Sequence, residues 1–477
     1  MGLLLAVPAR GQPASAADDS LLQHDNSALM QPFVGDWDAI RPRGMLRALV
    51  VYSKTFYFVD RGTQRGATYE MLKAFEQDIN QKLHAKDIKF NVVFIPVARD
   101  QLIPWLRAGK GDIAAASLTV TPEREKEVDF AAPLSSDVSE VVVTGPGGPN
   151  ISSVDNLSDR KIHVRQSSSY WEHLEALNQQ LGARGKKPMK LVPVSEELED
   201  EDLLEMVNAG LIPIVVVDRF KAVFWKQIFQ KLNFDPPVAI NTGGSIAWML
   251  RKGSPQLKAL IDDFVRTHKR GTEFGNVVTQ RYFKNAQYVR EATSDEEIGK
   301  FQQTVDLFRK YAGKYDVDYL LMMAQGYQES RLDQHVKSAV GAVGVMQVMP
   351  ETGKQMGVGD ITQLEPNIHA GVKYLKYVEN TYFADAPMDP LVKALFAFAS
   401  YNAGPSRIQE LRKEAGRRGY DPNRWFRNVE YVVAEKVGQE TVTYVSNIFK
   451  YYIAYQLVAE EALERQKAKM QMESGKP

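Results

Sequence analysis

One acidic residue stands at the end of a stretch with the composition of a buried helix. Glu329 follows the apolar residues 319–324 and the ring of Tyr327, and Ser330 and Arg331 come directly after it. A carboxyl group held among methionine and aromatic side chains loses water, which disfavours its charged form and raises its pKa. A carboxylic acid that keeps its proton near neutral pH can donate it to a leaving oxygen, as cleavage of a glycosidic bond requires. We therefore expect a general acid at a cleft edge, where the helix ends.

A glycine-rich stretch follows this acid. Because glycine lacks a Cβ, the backbone around Gly344 can approach a ligand closely. Met346 would then offer an apolar contact and Gln347 an amide. Taken alone, a glutamate at a helix end is more often a solvated surface residue. The other motifs of the chain decide between these interpretations.

Two further motifs occur later in the chain, Ser400-Tyr-Asn-Ala-Gly404 and Glu440-Thr-Val-Thr-Tyr-Val445. Together with Glu329-Ser and Gly344-Val-Met-Gln, this ordered set resembles the lysozyme-like domain of the soluble lytic transglycosylase family, over roughly residues 300–460. Val345 stands where that family usually has leucine, and Ser400 where it usually has alanine. Neither change removes a functional group.

This resemblance implies a mechanism with a single carboxyl group. Glu329 would protonate the oxygen between N-acetylmuramic acid and N-acetylglucosamine, and the muramoyl C6 hydroxyl would then attack, giving a 1,6-anhydro end without water. Tyr444 would be the second catalytic residue, stabilising the changing charge of Glu329. Matching of the family motifs implies these substrate-binding residues: Ser330, Met346, Gln347, Tyr401 and Asn402.

Two other functions remain open from the residues alone. An ordinary glycosidase needs two carboxylates, and Asp333 and Glu351 lie near Glu329 in sequence but match no motif position. A hydrolytic muramidase of the same fold would release reducing ends in place of anhydro ends. A peptidoglycan-binding sensor without catalysis is the third alternative, and the retained Glu329, Asn402 and Tyr444 argue against it.

The N-terminal half alternates segments of strand and helix character. Residues 44–52, 89–96 and 112–117 predict buried strands, and residues 66–83 and 100–109 predict helices between them. Strand, helix and strand in this order predict a parallel or mixed α/β sheet.

Polar groups follow the strands of this half. Thr119-Val-Thr-Pro-Glu-Arg124 places hydroxyls and a guanidinium after a strand, at the edge where open α/β sheets bind ligands. Arginine can grip a carboxylate with two hydrogen bonds, although a helix N-cap with a solvated arginine is the commoner meaning of such a turn. A second polar turn contains Ser167 and Ser168, and a later apolar strand ends in Asp218.

The order of these segments resembles the family 3 solute-binding proteins, over roughly residues 44–285, which are two-lobed cleft proteins. The resemblance implies that Arg124 binds a ligand carboxylate and Asp218 an ammonium, with Thr119 and Ser168 as hydroxyl partners. Ser167 stands where that family usually has glycine. Gly66-Ala-Thr-Tyr-Glu also departs from its usual Gly-Phe-Asp stretch.

The predicted fold class is multidomain, with a two-lobed α/β domain of the periplasmic-binding-protein type before a mainly α, lysozyme-like domain. This domain order resembles the membrane-bound lytic murein transglycosylase F family, and the first module is expected to regulate the second. The predicted divisions are a signal-peptide remnant 1–17, a linker 18–43, the solute-binding-like domain 44–285, a junction 286–300, the catalytic domain 301–460 and a charged tail 461–477. Lobe 1 would comprise about 44–144 and 240–285, and lobe 2 about 150–236.

Composition limits partners and cofactors. Fifty-nine basic and 59 acidic residues give a formal net charge of +0, so we expect no nucleic-acid partner. There is no cysteine, and the seven histidines show no metal-ligand spacing, so neither a metal nor another cofactor is expected. No apolar run reaches the roughly 18 residues of a membrane span. The expected partners are peptidoglycan glycan strands, with amino acids or muropeptides at the N-terminal cleft, in the periplasm and peripheral to the outer membrane.

Overall fold

The computed structural model describes residues 31–473 except residues 61, 86–87, 293–294 and 385. The predicted signal remnant and residues 18–30 of the predicted linker lie outside the described residues. The strands are β1 Met45–Val50, β2 Phe58–Asp60, β3 Thr63–Arg65, β4 Asn91–Pro96, β5 Ile113–Thr119, β6 Asp129–Phe130, β7 Ser135–Thr144, β8 Lys161–Arg165, β9 Lys190–Val194, β10 Ile214–Asp218 and β11 Ala239–Leu250.

Helices alternate with these strands in the N-terminal half. They are α1 Trp37–Ile40, α2 Ala67–Lys82, α3 Leu102–Arg107, α4 Pro122–Glu125, α5 Ser169–Ala183, α6 Asp200–Asn208, α7 Arg219–Lys226, α8 Pro255–His268, α9 Glu273–Phe283 and α10 Gln287–Ala292, with 3-10 turns at Arg41–Arg43, Arg99–Gln101 and Val154–Leu157. The alternation places helices on both faces of the sheet, as the sequence pattern predicts.

The main sheet has the strand order β4-β1-β5-β11-β7-β10-β8-β9, with β6 also paired to β11. Strand β1 is parallel to β4 and β5, and β10 is parallel to β8, whereas β11 and β7 are antiparallel to their neighbours. The carboxyl half of β11 pairs with β5 and its amino half pairs with β7. The long strands β7 and β11 therefore connect two lobes, and the cleft lies between those lobes.

Alternation along the strands of lobe 2 makes two separate apolar layers. Val215 and Val217 face the layer formed with α6 and α7, and Ile214 and Val216 face the layer formed with α5. Such a period of two is what a strand covered on both faces requires.

The structure differs from the prediction of a linker at residues 31–43. Helix α1 begins after Asp36, whose carboxylate accepts hydrogen bonds from the backbone N–H groups of Gln256 and Leu257 at the start of α8. Ile40 is fully buried in the core. Apolar residues among several prolines and aspartates concealed this packing from sequence reasoning.

The C-terminal half is helical, as predicted. Its helices are α11 Asp295–Tyr315, α12 Tyr319–Ser330, α13 Pro350–Met356, α14 Leu364–Tyr382, α15 Pro390–Ala403, α16 Pro405–Arg417, α17 Glu430–Lys436 and α18 Gln439–Glu473, with a π-helical turn at Trp425–Val429 before α17. The predicted fold class is thus confirmed. Among the helices in the described part of the chain, none is long and apolar enough to cross a membrane.

The last helix does not follow the predicted boundary. Residues 461–477 were expected to form a charged, fraying tail, but α18 continues to Glu473. Its final turns pack on lobe 2, where Ala468 is buried and Lys469 forms an ion pair of 2.9 Å with Asp202. Charged residues of this segment therefore form ion pairs with lobe 2, and sequence alone could not reveal those partners.

Candidate active site and ligand cleft

Helix α12 presents Glu329 at its last turn. The helix begins with Asp318, whose side chain caps the N–H of Leu320, and ends where Arg331 adopts a left-handed conformation (φ 61°). Most of its side chains are buried, but Glu329 is half-buried. Its Oε1 accepts a hydrogen bond of 2.5 Å from the hydroxyl of Tyr444, in the second turn of α18. The structure thus brings together the two residues predicted to be catalytic.

The environment of Glu329 favours its protonated form. Burial raises the pKa of Glu329 to about 7, and the hydrogen bond from Tyr444 acts in the opposite direction. Burial also raises the pKa of Tyr444, and the nearby Glu329 adds to that rise, so the phenol keeps its proton as a donor. A protonated carboxyl group at a helix end is able to act as a general acid.

Gln325 is a neighbour of this pair that sequence reasoning missed. It lies one turn before Glu329 on α12 and is fully buried. Its Nε2 donates to the Tyr444 hydroxyl at 3.3 Å. A glutamine within a run of apolar residues on a buried helix is the signal that could have drawn attention to it.

Three of the predicted substrate-binding residues lie at the end of α12 and in the loop that follows it. Ser330 is buried, and its hydroxyl lies 2.9 Å from the Val345 carbonyl, to which it donates. Met346 is fully buried. Gln347 has a positive φ of 45°, and its amide donates to the carbonyls of Gly344 and Val336. All three hold the loop after α12 in place, and the Met346 side chain has no exposed surface for a sugar.

The remaining two lie at the end of α15. The hydroxyl of Tyr401 donates to the Met346 carbonyl at 2.8 Å, which joins α15 to the loop. Asn402 is exposed, and its Oδ1 accepts a 2.6 Å hydrogen bond from Thr441 in the first turn of α18. Asn402 is therefore accessible to a ligand while its side chain is held in one orientation.

Asn367 organises the glycine-rich loop and was not predicted from the sequence. It is fully buried in α14. Its Oδ1 accepts from the N–H of Met346, and its Nδ2 donates to the carbonyls of Val343 and Ile361. A Cβ at Gly344 would lie 2.4 Å from the Asn367 amide nitrogen. Glycine at position 344 is thus required by an internal contact.

In the N-terminal half, the four predicted ligand-binding residues line one cavity between the lobes. Thr119 and Arg124 come from lobe 1, and Ser168 and Asp218 from lobe 2. The cavity has a volume of about 460 Å³. Thr119, Ser168 and Asp218 are buried, and Arg124 is 9% exposed.

Arg124 joins the lobes in this structure. Its guanidinium donates to the carbonyls of Thr119 and Ser167, and its Nε lies 3.4 Å from the carboxylate of Glu172. Burial lowers the pKa of Arg124, and Glu172 acts in the opposite direction. The carboxylate paired with Arg124 is thus partly exposed, since the Glu172 side chain is 26% exposed.

Asp218 has an internal cationic partner. The Nζ of Lys221 lies 2.8 Å from its Oδ2 and 2.7 Å from Oδ2 of Asp200. Arg165 forms a further ion pair with Asp200. The predicted ammonium site is therefore already in contact with a lysine of the chain.

Four consecutive acids at the start of α6 were missed by sequence reasoning. All four are at most 2% exposed. Each has a different partner: Glu199 pairs with Arg99 of lobe 1, Asp200 with Arg165 and Lys221 of lobe 2, Glu201 with the backbone N–H of Lys54, and Asp202 with Arg465 and Lys469 of α18. A run of acids is usually a solvated face, so local sequence does not indicate that these four side chains are buried.

The described residues contain no group of three or more histidine, aspartate and glutamate side chains placed to hold a metal ion.

Two family profiles match the chain. Residues 306–423 match the transglycosylase SLT domain, and residues 50–285 match the bacterial extracellular solute-binding proteins, family 3. These matches define a two-module protein, in which a solute-binding fold precedes a transglycosylase domain.

Curated relatives match both modules together. The chain is 30% identical over 435 residues to the membrane-bound lytic murein transglycosylase F of Desulfosudis oleivorans, covering 87% of this chain and 90% of the relative. It is 27% identical over 454 residues to the protein of the same name in Pseudomonas fluorescens, covering 90% and 88%. The chain therefore belongs to the membrane-bound lytic murein transglycosylase F family.

Solved structures resemble the N-terminal half. An ancestral arginine-binding protein bound to arginine is 22% identical, with a TM-score of 0.42 and coverage of 50% of this chain and 99% of that one. An amino acid transporter substrate-binding protein from Streptococcus pneumoniae is 19% identical, with a TM-score of 0.43 and coverage of 52% and 98%.

Proposed function

We propose that the protein cleaves peptidoglycan glycan strands by lytic transglycosylation, with Glu329 serving first as acid and then as base. One observation carries the proposal. Glu329 stands at the end of a buried helix with a pKa of about 7, in hydrogen-bond contact with Tyr444. A group with this pKa can both give and accept a proton near neutral pH.

The proposed reaction needs no water. Glu329 donates its proton to the glycosidic oxygen between N-acetylmuramic acid and N-acetylglucosamine, and the bond from that oxygen to the muramoyl C1 breaks. The C6 hydroxyl of the same muramoyl residue attacks C1, and its proton passes to Glu329. The new C6–O–C1 bond gives the 1,6-anhydro end, and the carboxyl group is returned to its starting state. Intramolecular attack gains on the order of 7–11 kcal/mol from proximity in favourable systems.

Tyr444 supports the change of charge on Glu329. Its hydroxyl donates to Oε1, and this hydrogen bond strengthens when the carboxyl group becomes a carboxylate. Asn402, which is exposed and oriented by Thr441, is proposed to bind the glycan or its acetamido group. Ser330, Met346, Gln347 and Tyr401 are proposed to shape the sugar subsite through the loop they hold.

The N-terminal cleft is proposed to bind a carboxylate ligand, of the amino acid or muropeptide class, and to regulate the catalytic domain. Arg124, Thr119, Ser168 and Asp218 all line the cavity between the lobes. Helix α18 carries Tyr444 near its start and contacts both lobes near its end. We further propose that the protein acts in the periplasm, peripheral to the outer membrane.

Mass spectrometry of digested sacculi tests the reaction. We expect wild-type protein to release muropeptides lighter by one water than hydrolysed ones, and Glu329→Gln to release none, because a glutamine amide is too weak an acid to protonate the leaving oxygen. Hydrated products would make the protein a hydrolytic muramidase. Full lytic activity in Glu329→Gln would overturn the role of Glu329. A folded protein that binds sacculi without cleaving them, in both forms, would favour the sensor alternative.

A further inference from the structure

We propose that Lys221 occupies the ammonium position of the N-terminal cleft, so that the cleft selects carboxylates whose amino group is acylated over free amino acids. The proposal rests on the proposed ligand-binding role of this cleft. It goes beyond that role by naming the residue that sets specificity and the chemical class it admits.

The position of Lys221 follows from helix geometry. Asp218 ends β10, and α7 begins with the next residue, so Lys221 lies three residues on, in the first turn of the helix. Its Nζ contacts the carboxylates of Asp218 and Asp200 at 2.8 and 2.7 Å. Lys221 is only 4% exposed. An ammonium group therefore already binds the carboxylate that would hold a ligand's ammonium.

The ion-pair network around Lys221 is balanced in charge. Asp200 and Asp218 carry the negative charges, and Lys221 and Arg165 carry the positive ones. Although burial lowers the pKa of Lys221, both carboxylates raise it, and the net shift is upward, so the lysine keeps its charge. A ligand ammonium would add a positive charge to a buried, neutral cluster, which is unfavourable at low dielectric.

Three of the residues that line the cavity each have a buried polar atom without a hydrogen-bond partner among the described residues. These atoms are Oδ1 of Asp218, Nε of Arg165 and Oγ of Ser117. Buried polar atoms are normally paired, so these atoms suit a ligand. The Asp218 oxygen accepts a hydrogen bond, the Arg165 nitrogen donates one, and the Ser117 hydroxyl can do either.

An amide group matches these atoms better than an ammonium does. Its N–H can donate to Asp218 Oδ1 without adding charge, and its C=O can accept from Arg165 Nε. The ammonium group of a free amino acid can donate to Asp218 only by bringing a positive charge, and it has no amide carbonyl to accept from Arg165. Ser117 adds a second indication, because it holds a strained φ of 53° within β5 at the cavity wall. Such strain is often found in ligand-binding sites.

Arg124 can still receive the carboxylate of such a ligand. Two of its contacts are to neutral backbone carbonyls. Its acidic neighbour Glu172 lies 3.4 Å from the Arg124 Nε, and because the Glu172 side chain is 26% exposed, it can turn towards solvent. The cavity of about 460 Å³ lies in the range of small-molecule sites. An acylated amino acid or a short peptide fits both the volume and the polar groups.

Calorimetric titration of the full chain tests the proposal, using a panel of L-amino acids and the N-acetyl derivative of each. We expect wild type to bind the acetylated compounds at least about tenfold more tightly than their parents. Lys221→Met should reverse this preference by about tenfold or more, because Asp218 becomes free to bind an ammonium. Lys226→Met is the matched control, since Lys226 lies on the same helix, exposed, over the ring of Phe234.

The outcomes are distinct. Free amino acids that bind wild type as tightly as the acetylated ones would overturn the proposal, as would a Lys221→Met protein with an unchanged preference. Thermal unfolding checks that each variant is folded, and Lys221→Gln, which keeps hydrogen bonding to both carboxylates, replaces methionine if that variant unfolds. If wild type binds neither class, the ligand-binding role of the cleft itself fails.

Discussion

At Glu329, burial and one hydrogen bond act on the same carboxyl group in opposite directions. Burial raises its pKa to about 7, and Tyr444 holds it below the value that burial alone would give. The acid is protonated below this pKa, so the proton-donating form is lost as pH rises through about 7. We expect the activity to fall in that range.

The Tyr444→Phe variant tests this balance. Removing the donor removes the interaction that lowers the pKa of Glu329, so the alkaline limb of the pH profile should move to higher pH. The rate should fall, by roughly 100-fold, because the forming carboxylate loses a hydrogen bond. The pH dependence of kcat/KM on solubilised peptidoglycan measures both effects. A lower rate with an unmoved limb would contradict the assignment of Tyr444.

Gln325→Met extends the same measurement. Gln325 acts through Tyr444, since its amide donates to the tyrosine hydroxyl at 3.3 Å. We expect the alkaline limb to move in the same direction as in Tyr444→Phe, but less, with a loss of about 1 kcal/mol in transition-state stabilisation. In the Tyr444→Phe background, Gln325→Met should have no further effect on the limb. An additive shift would show that Gln325 acts on Glu329 by another route.

At the residue scale, short motifs identify residues that could do chemistry, but they do not identify the buried residues that hold the site in place. Glu329 could be singled out because an acid at the end of an apolar run is unusual. Asn367 could not, because its role depends on two backbone groups of a loop that comes more than twenty residues earlier and on the carbonyl of Ile361. Met346 illustrates the converse, since its motif position predicts a sugar contact while its side chain is fully buried.

At the element scale, the hairpin of β2 and β3 is the part of lobe 1 that contacts α12, the helix in which Glu329 lies. Gly62, in its turn, has a φ of 79°. A Cβ there would lie 2.9 Å from the hydroxyl of Tyr455 and 3.0 Å from the ring of Tyr327. The Gly62 carbonyl also accepts a hydrogen bond of 2.6 Å from Tyr455. The hairpin therefore lies against α18 and against α12 two residues from Glu329.

Gly62→Ala should weaken this contact. The left-handed backbone alone costs a non-glycine residue about 1–2 kcal/mol, and the crowding against Tyr327 and Tyr455 adds to that cost. We expect the variant to have a lower Tm and a lower lytic rate than wild type, with both quantities measured on the same protein preparation. Gly147→Ala is the matched control, because Gly147 has a φ of 72° and open space around it. If both variants lose the same stability and neither loses activity, the hairpin does not support the active site.

Element boundaries were predictable where local chemistry marks them. Helix α8, Pro255–His268, begins with proline, which is favoured at the first helical position because its missing N–H would have no partner there. Helix α6 begins at Asp200, before its first apolar residue Leu203, because the acids there are paired inside the protein instead of solvated. Local pattern cannot show a partner that lies on α18, more than 260 residues away.

At the scale of the whole molecule, α18 is the element shared by every functional region. Tyr444 near its start contacts Glu329, Tyr455 contacts the hairpin of lobe 1, and Lys469 near its end pairs with Asp202 of lobe 2. Arg465 donates to the Tyr52 carbonyl of lobe 1 and lies 3.3 Å from Asp202. A relative movement of the lobes therefore acts on the helix that holds Tyr444.

The order of the modules could be predicted from motifs, but their docking could not. Docking depends on a glycine carbonyl, a tyrosine hydroxyl and buried ion pairs that come from distant parts of the chain. None of these groups has a local pattern that identifies its partner. The prediction of a fraying tail is wrong for this reason, since a charged segment such as 461–473 indicates a solvated tail when its partners cannot be seen.

Arg99 tests whether closure of the cleft supports the active site. Its guanidinium binds both carboxylate oxygens of Glu199 across the lobes, at 2.7 and 2.8 Å, and both side chains are largely buried. Arg99→Met leaves Glu199 without its cation, which costs about 3–5 kcal/mol in a buried pair. Opening the lobes returns Glu199 to water, so we expect an open cleft and a lower lytic rate with the alkaline limb unchanged.

The chain has no cysteine. Opening of the cleft can therefore be measured as the distance between two dyes attached to two introduced cysteines, one in each lobe. Lys126→Cys in lobe 1 and Lys187→Cys in lobe 2 suit this purpose, because both lysine side chains are well exposed. Arg107→Met is the control, since its pair with Glu127 lies on the surface and such pairs contribute about 0–1 kcal/mol. A larger distance between the dyes with full lytic activity would separate the cleft from catalysis. A larger distance with reduced activity would identify α18 as the connection, since it is held by both lobes and carries Tyr444.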